Sequence, residues 1–212
     1  MRPRWNHNIH YHSVLLSAMP PGCERVLDVG CGEGGLARKL RGLGCQVTAI
    51  DRDESSVRVA QEDGSGIEYV VGDFMTFPFE PRSFDFVVSV AALHHMDEAV
   101  ALRRMRELVR AGGAVAVVGL ARSSYPADAA RDGAAVVVNR LHRLARNHWE
   151  SSAPEVWPPL HTYDDVRAIA ERELPGARFR RHLLFRYSIV WTPPTDSRTG
   201  SSTHAALTAW RT

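Results

Sequence analysis

The segment Val26-Leu27-Asp28-Val29-Gly30-Cys31-Gly32-Glu33-Gly34-Gly35 holds the residues of this chain best suited to gripping a ligand. Gly30, Gly32 and Gly35 fit the pattern G-x-G-x-x-G, and Asp51 stands about twenty residues on, where an acid can take a ribose. Glycines let a ligand approach the backbone at a helix N-terminus, where amide donors favour negative charge. A pyrophosphate and an amino-acid carboxylate both suit such a loop, so the pattern alone leaves a nicotinamide dinucleotide open.

Asp28 separates the two. A carboxylate two residues before the first glycine repels a pyrophosphate and attracts an ammonium group. S-adenosyl-L-methionine carries an ammonium, a carboxylate and a cationic sulfonium together. The later acids continue the match: Asp51 can accept from both ribose hydroxyls, and Gly72-Asp73-Phe74 puts an acceptor for an adenine amino group beside an aromatic wall. An NAD(P)-dependent oxidoreductase is the competing enzyme class. Asp28 opposes it, and no Tyr-x-x-x-Lys pair exists, because Lys39 is the single lysine.

Two further clusters could act on a substrate. His94-His95 can take a proton near neutral pH, or can simply shape a loop. Trp5-Asn6-His7-Asn8-Ile9-His10-Tyr11-His12 is dense in polar aromatics; as a helix it sets His7 and His10 on one face and His12 elsewhere. No carboxylate or cysteine completes a shell there, so no metal is expected.

The elements that must position these residues follow from hydropathy. Short β-branched runs predict strands over Arg25–Val29, Gln46–Ile50, Ile67–Val71, Phe84–Val90 and Ala114–Leu120. Helical spacing predicts helices over Leu36–Leu40, Asp53–Ala60 and Asp97–Val109, with Asp53 and Asp97 as N-caps. This alternation is that of a doubly wound α/β layer, whose ligands lie at the carboxyl ends of parallel strands. Farther on, Ala134–Trp149 reads as a helix, Thr162 caps another to about Leu174, and Arg178–His182 pairs with Leu184–Trp191. Ser- and Thr-rich sequence from Pro193 on reads as a flexible tail.

Composition narrows the setting. With 26 Lys and Arg against 24 Asp and Glu the net charge is +2, and no basic stripe suits a nucleic-acid groove. Ser89-Val90-Ala91-Ala92 also lacks the Asn-Pro-Pro-aromatic motif of base-amino methylation. Three cysteines, Cys23, Cys31 and Cys45, form no paired framework and point to the cytoplasm. The N-terminus has no apolar signal region, and Ala114–Leu120 is too short to span a bilayer, so no stable membrane insertion is expected.

The motifs VLDVGCGEGG, VTAID, VVGDFMTFPF, FDFVVSVAALHHM and LVRAGGAVAVVGL, in that order, resemble the class I S-adenosylmethionine-dependent methyltransferases. Within them the chain is similar to the ubiquinone/menaquinone-biosynthesis-like small-molecule group, over roughly Cys23 to Leu120. The resemblance implies a Rossmann-like, seven-stranded, mostly parallel sheet with helices on both faces and its last strand antiparallel. It implies one domain over 1–192: a lid over 1–22, a cofactor-binding core over 23–120, an acceptor-covering insertion over 121–162 that includes Trp149 and Trp157, and a closing helix and strand pair.

Carried onto this sequence, the resemblance puts Asp28 and Gly30 at the amino-acid end of the cofactor. Cys31, Gly32 and Gly34 fall on the loop, Asp51 on the ribose, Arg52 against the adenine, Asp73 on its amino group and Phe74 on its ring. Val90 would offer backbone to the methionine part, and Tyr11, His10 or Asn6 would close over the site. The implied activity is in-line transfer of the sulfonium methyl to an O, N, S or C nucleophile of a small-molecule acceptor, by a monomer or homodimer. A fold that keeps the cofactor without turnover is the non-catalytic alternative.

Overall fold

The computed structural model describes residues 7–62, 66–126, 128–129, 132–136, 138, 140 and 158–194. Seven strands form one sheet in the order β3-β2-β1-β4-β5-β7-β6: β1 (Arg25–Val29), β2 (Gln46–Asp51), β3 (Glu68–Val71), β4 (Phe84–Val90), β5 (Val109–Gly119), β6 (Arg178–Arg181) and β7 (Tyr187–Trp191). The first five pair parallel, whereas β7 runs antiparallel to both β5 and β6. The strand order reverses between β1 and β4, and a doubly wound sheet opens a crevice for ligands at that point.

The helices are α1 (His7–His10), α2 (His12–Leu16), α3 (Gly35–Gly42), α4 (Glu54–Gln61), α5 (Glu98–Leu108) and α6 (Tyr163–Glu173), with a 3-10 turn at Leu93–His95. Asp53 caps α4 by accepting from the Ser55 and Ser56 amides, and Asp97 caps α5 by accepting from the Val100 amide. Thr162 and Asp165 form a reciprocal capping box at α6.

Side-chain alternation splits the core into two layers. Leu27, Val87, Val115 and Ile189 pack under α5 and α6 with Leu102, Met105, Val166 and Ala170. On the other face Val26, Val47, Phe86 and Val118 pack under α2 and α3 with Leu15, Leu36 and Leu40. Asp28 shares the parity of Val26 and so faces α3, one of whose backbone amides it engages. Among the described residues no helix is long and apolar enough to cross a membrane.

Several boundaries differ from the sequence expectation. The fifth strand begins at Val109, where α5 passes directly into it, and its pairing with β4 is irregular between Phe84 and Phe86. The last strand begins at Tyr187, not Leu184, because residues 182–186 form a tight loop: the His182 amide donates to the Arg186 carbonyl at 2.8 Å, and Leu184 and Phe185 have φ of 60° and 58°. Helical backbone occurs at 132–136, but most of the expected Ala134–Trp149 helix, Trp149 and Trp157 lie outside the described residues.

The amino ends of the central strands are tied by one acid. Asp85 is buried, its Oδ2 accepts from the Glu24 and Arg25 amides at 2.9 and 2.8 Å, and Arg110 pairs with Oδ1. Removing it leaves two amides and a guanidinium without their acceptor. Asp85→Ala is therefore expected to lower stability by about 2–3 kcal/mol, read as a reduced urea midpoint with an unchanged slope. Asp85→Asn, which retains an acceptor without the charge, should fall between the two.

Candidate cofactor site

At the carboxyl ends of β1 to β4 lies a cavity of about 290 Å³, near the lower limit of small-molecule sites. Four strand ends supply its wall: Asp28 and Asp51 near the ends of β1 and β2, Asp73 just after β3, and Val90-Ala91-Ala92 at the end of β4.

The glycine loop is shaped by sterics. Gly30 has φ +71°, and a Cβ there would run into the Ala92 methyl, so two independent constraints exclude a side chain. Its amide and that of Cys31 donate to the Ile50 carbonyl at 2.8 and 3.1 Å, which binds the loop to β2. Gly34 has φ +74°, and a Cβ would strike the Tyr69 hydroxyl; it serves as the left-handed residue before α3 and does not line the cavity.

Asp28 is 1% exposed. One carboxylate oxygen accepts from the Ala37 amide of α3, and Oδ2 has no hydrogen-bond partner among the described residues. Burial pushes its pKa up to about 7, and the nearby Asp51 charge pushes the same way against the Ala37 bond. Asp51 is held rigidly: Oδ2 accepts from the Gly32 amide at 2.8 Å and Oδ1 from the Asp53 amide at 2.9 Å. Asp73 turns the chain by accepting from the Met75 amide at 2.8 Å. Phe74 is buried, with the Arg104 guanidinium 5.5 Å from its ring centre, and it joins the cavity wall to the core.

An unpartnered buried carboxylate oxygen beside a second acid is the environment an ammonium relieves and a phosphate aggravates. The donor set therefore fits S-adenosylmethionine and opposes a dinucleotide.

Of the residues expected from sequence, Asp28, Gly30, Cys31, Gly32, Asp51, Arg52, Asp73, Phe74, Val90 and His95 line this cavity. Gly34, His94 and Tyr11 do not. The His94 ring lies 4.1 Å from that of His95, tilted by 39°, and is not part of the cavity lining; burial lowers its pKa to about 4, helped by the His95 and Arg186 charges. Tyr11, expected against the cofactor, is 6% exposed in the core, donates its hydroxyl hydrogen to the Leu183 carbonyl and lies 5.0 Å from the His182 ring. The N-terminal segment breaks at Tyr11 into α1 and α2, and it is Asn8, Ile9 and His12 that reach the cavity. The Arg186 guanidinium donates to Asn8 Oδ1 at 3.0 Å and steadies α1. Sequence reasoning missed these three and the buried Ser56. For Asn8 and His12 the i, i+4 spacing was the available signal. Asn6 lies outside the described residues, and His10 stands edge-on to Tyr11 outside the cavity lining. Among the described residues no group of three His, Cys, Asp or Glu could hold a metal ion.

Comparison with known proteins agrees with this geometry. Residues 27–117 match a family model described as a methyltransferase domain. An uncharacterised methyltransferase of Mycobacterium tuberculosis is 39% identical over 193 residues, covering 90% of this chain and 98% of the relative. A crystal structure from Pyrococcus horikoshii OT3 superposes with a TM-score of 0.63 at 19% identity, covering 88% and 89% of the two chains. A Haemonchus contortus phosphoethanolamine N-methyltransferase 2, solved with phosphomonomethylethanolamine and S-adenosylhomocysteine, has a TM-score of 0.58 at 22% identity, covering 81% of this chain and 38% of its own. The order of the strands, the three acids at their ends and the full-length relatives together make this chain a member of the class I S-adenosylmethionine-dependent methyltransferases.

Proposed function

We propose that this methyltransferase acts in line on an oxygen, nitrogen, sulfur or carbon nucleophile of a small molecule. The observation that carries the reading is the buried Asp28 carboxylate, which keeps one oxygen unpartnered among the described residues and belongs to the lining of a cavity that Asp51 also lines. The bound cofactor supplies an electrophilic methyl on a cationic sulfonium. Asp28 holds the ammonium, and the amides around Gly30, Cys31 and Gly32 border the amino-acid end. Asp51 takes the ribose hydroxyls, Asp73 the adenine amino group and Phe74 the ring, with Arg52 at the adenine edge and Val90 offering backbone. Alignment of two reactants can lower a barrier by about 7–11 kcal/mol in favourable cases, so the protein's chief task is positioning.

Of the two histidines we assign proton acceptance from the acceptor to His95, because it lines the cavity and His94 does not. Burial lowers the His95 pKa below the ordinary 6.5, the Arg52 charge adds to this and Asp51 opposes it, so the ring is neutral at pH 7 and keeps a nitrogen lone pair that can accept a proton. The described part of the N-terminal segment, from which Asn8, Ile9 and His12 line the cavity, acts as a lid. The +2 net charge argues against nucleic acid as acceptor, and the free thiols of Cys23, Cys31 and Cys45 support a cytoplasmic setting for a monomer or homodimer.

Calorimetry with S-adenosylhomocysteine tests the cofactor assignments. Asp28→Ala and Asp51→Ala should each weaken binding about 10- to 100-fold, the loss of a charge-assisted hydrogen bond. Undetectable binding by the intact protein would overturn the reading. Binding without S-adenosylhomocysteine production across phenols, quinols, amines and carboxylates would favour a non-catalytic module.

The raised pKa of Asp28 also predicts a pH dependence. The folded protein holds a proton there that the unfolded chain releases near 3.8, so the cost of ionisation is absent below 3.8 and complete above about 7. Stability of the free protein should fall between those values through this group, and Asp28→Asn should remove that component of the slope in urea titrations. S-adenosylhomocysteine affinity should fall on acidification below about 7 in the wild type but not in Asp28→Asn.

A further inference from the structure

His12 occupies the face of the sheet that carries Asp28. Strand alternation sends Val26, Asp28, Val88 and Val90 toward α2 and α3, and Leu15, three residues after His12, packs in that layer with Leu36 and Leu40. The ring is 5% exposed, lines the cavity, and leaves Nδ1 with no hydrogen-bond partner among the described residues. Packing alone does not account for this choice, since an apolar side chain of similar volume would fill the space without burying a bare polar atom.

The protonation state follows from the surroundings. Burial, with the Lys39 ammonium of α3 adding to it, lowers the His12 pKa to about 3. The imidazole is neutral at working pH and offers one N–H and one bare nitrogen. Asp28, on the same face, suits the ammonium of the methionyl group, which leaves the adjoining carboxylate in need of donors near the start of α3. Gly35 and Leu36 of that helix line the cavity beside His12.

We propose that His12 donates a hydrogen bond to the methionyl carboxylate of the bound cofactor, so that the N-terminal segment recognises the amino-acid end while the strand-end acids recognise the nucleoside. This rests on the assignment of Asp28 to the ammonium. His12 is then a cofactor-discriminating residue: it favours ligands that keep the amino-acid arm over 5′-methylthioadenosine, which lacks it.

The test compares those two ligands by calorimetry on the full chain. His12→Ala should weaken S-adenosylhomocysteine about tenfold or more and change 5′-methylthioadenosine less than about twofold, while His12→Asn, which keeps an N–H donor, should recover part of the loss. Equal weakening of both ligands would make His12 a packing residue and overturn the proposal, as would unchanged S-adenosylhomocysteine binding. Should His12→Ala not fold, NMR of the intact protein with labelled histidine decides: the His12 ring signals should move with S-adenosylhomocysteine and stay with 5′-methylthioadenosine, and movement with both or neither refutes it. Wild-type binding that is lost in Asp28→Ala but kept in His12→Ala would sink this proposal alone, whereas binding indifferent to Asp28→Ala would sink the ammonium assignment beneath it.

Discussion

A carboxylate with an unpartnered oxygen, buried at the end of β1, is the constraint around which this structure is arranged. Asp28 is bonded from α3 through the Ala37 amide and crowded by Asp51, so it can be charged comfortably only when a cation lies beside it. Everything nearby serves that condition. The Ala92 methyl fills the space a side chain at Gly30 would need, and Asp51 binds the Gly32 amide to the end of β2. The three acids meet because parallel neighbours place their carboxyl ends side by side. The free protein thus carries an unfavourable local field at this carboxylate.

The legible part of the sequence was the part in which local pattern and tertiary placement coincide. Val26 to Val29, Val47 to Ile50 and Phe86 to Val90 are β-branched or aromatic runs that nothing but a buried strand explains, and each is followed by an acid or a loop that the sheet brings to one edge. Asp28 and Asp51 could be read from their place at the ends of such runs, and Asp73 from the Gly72-Asp73-Phe74 sequence after β3. The twin histidines could be located but not told apart: a single 3-10 turn puts His95 in the cavity lining and leaves His94 outside it.

What escaped the sequence depends on contacts distant along the chain. Leu183-Leu184-Phe185 has strand composition, yet two left-handed residues turn it into a loop whose Leu183 carbonyl receives the Tyr11 hydroxyl. That single long-range bond draws Tyr11 into the core, and the break between α1 and α2 rotates His12 into the cavity in its place. Helical periodicity in an isolated segment cannot anticipate a partner more than 170 residues away.

The same contact gives the cavity a divided ancestry. Its floor comes from strands complete by residue 119, whereas its roof, the α1–α2 segment, is fastened by Leu183 and Arg186. A ribosome that has made everything through β5 has therefore produced the acid-lined floor of the cavity but not the two polar ties that fasten the first helices over it. The nascent methyltransferase gains the polar ties to Tyr11 and Asn8 only when the loop before its last strand emerges, and a chain terminated ahead of that loop keeps its first helices by apolar packing such as that of Leu15, without those ties.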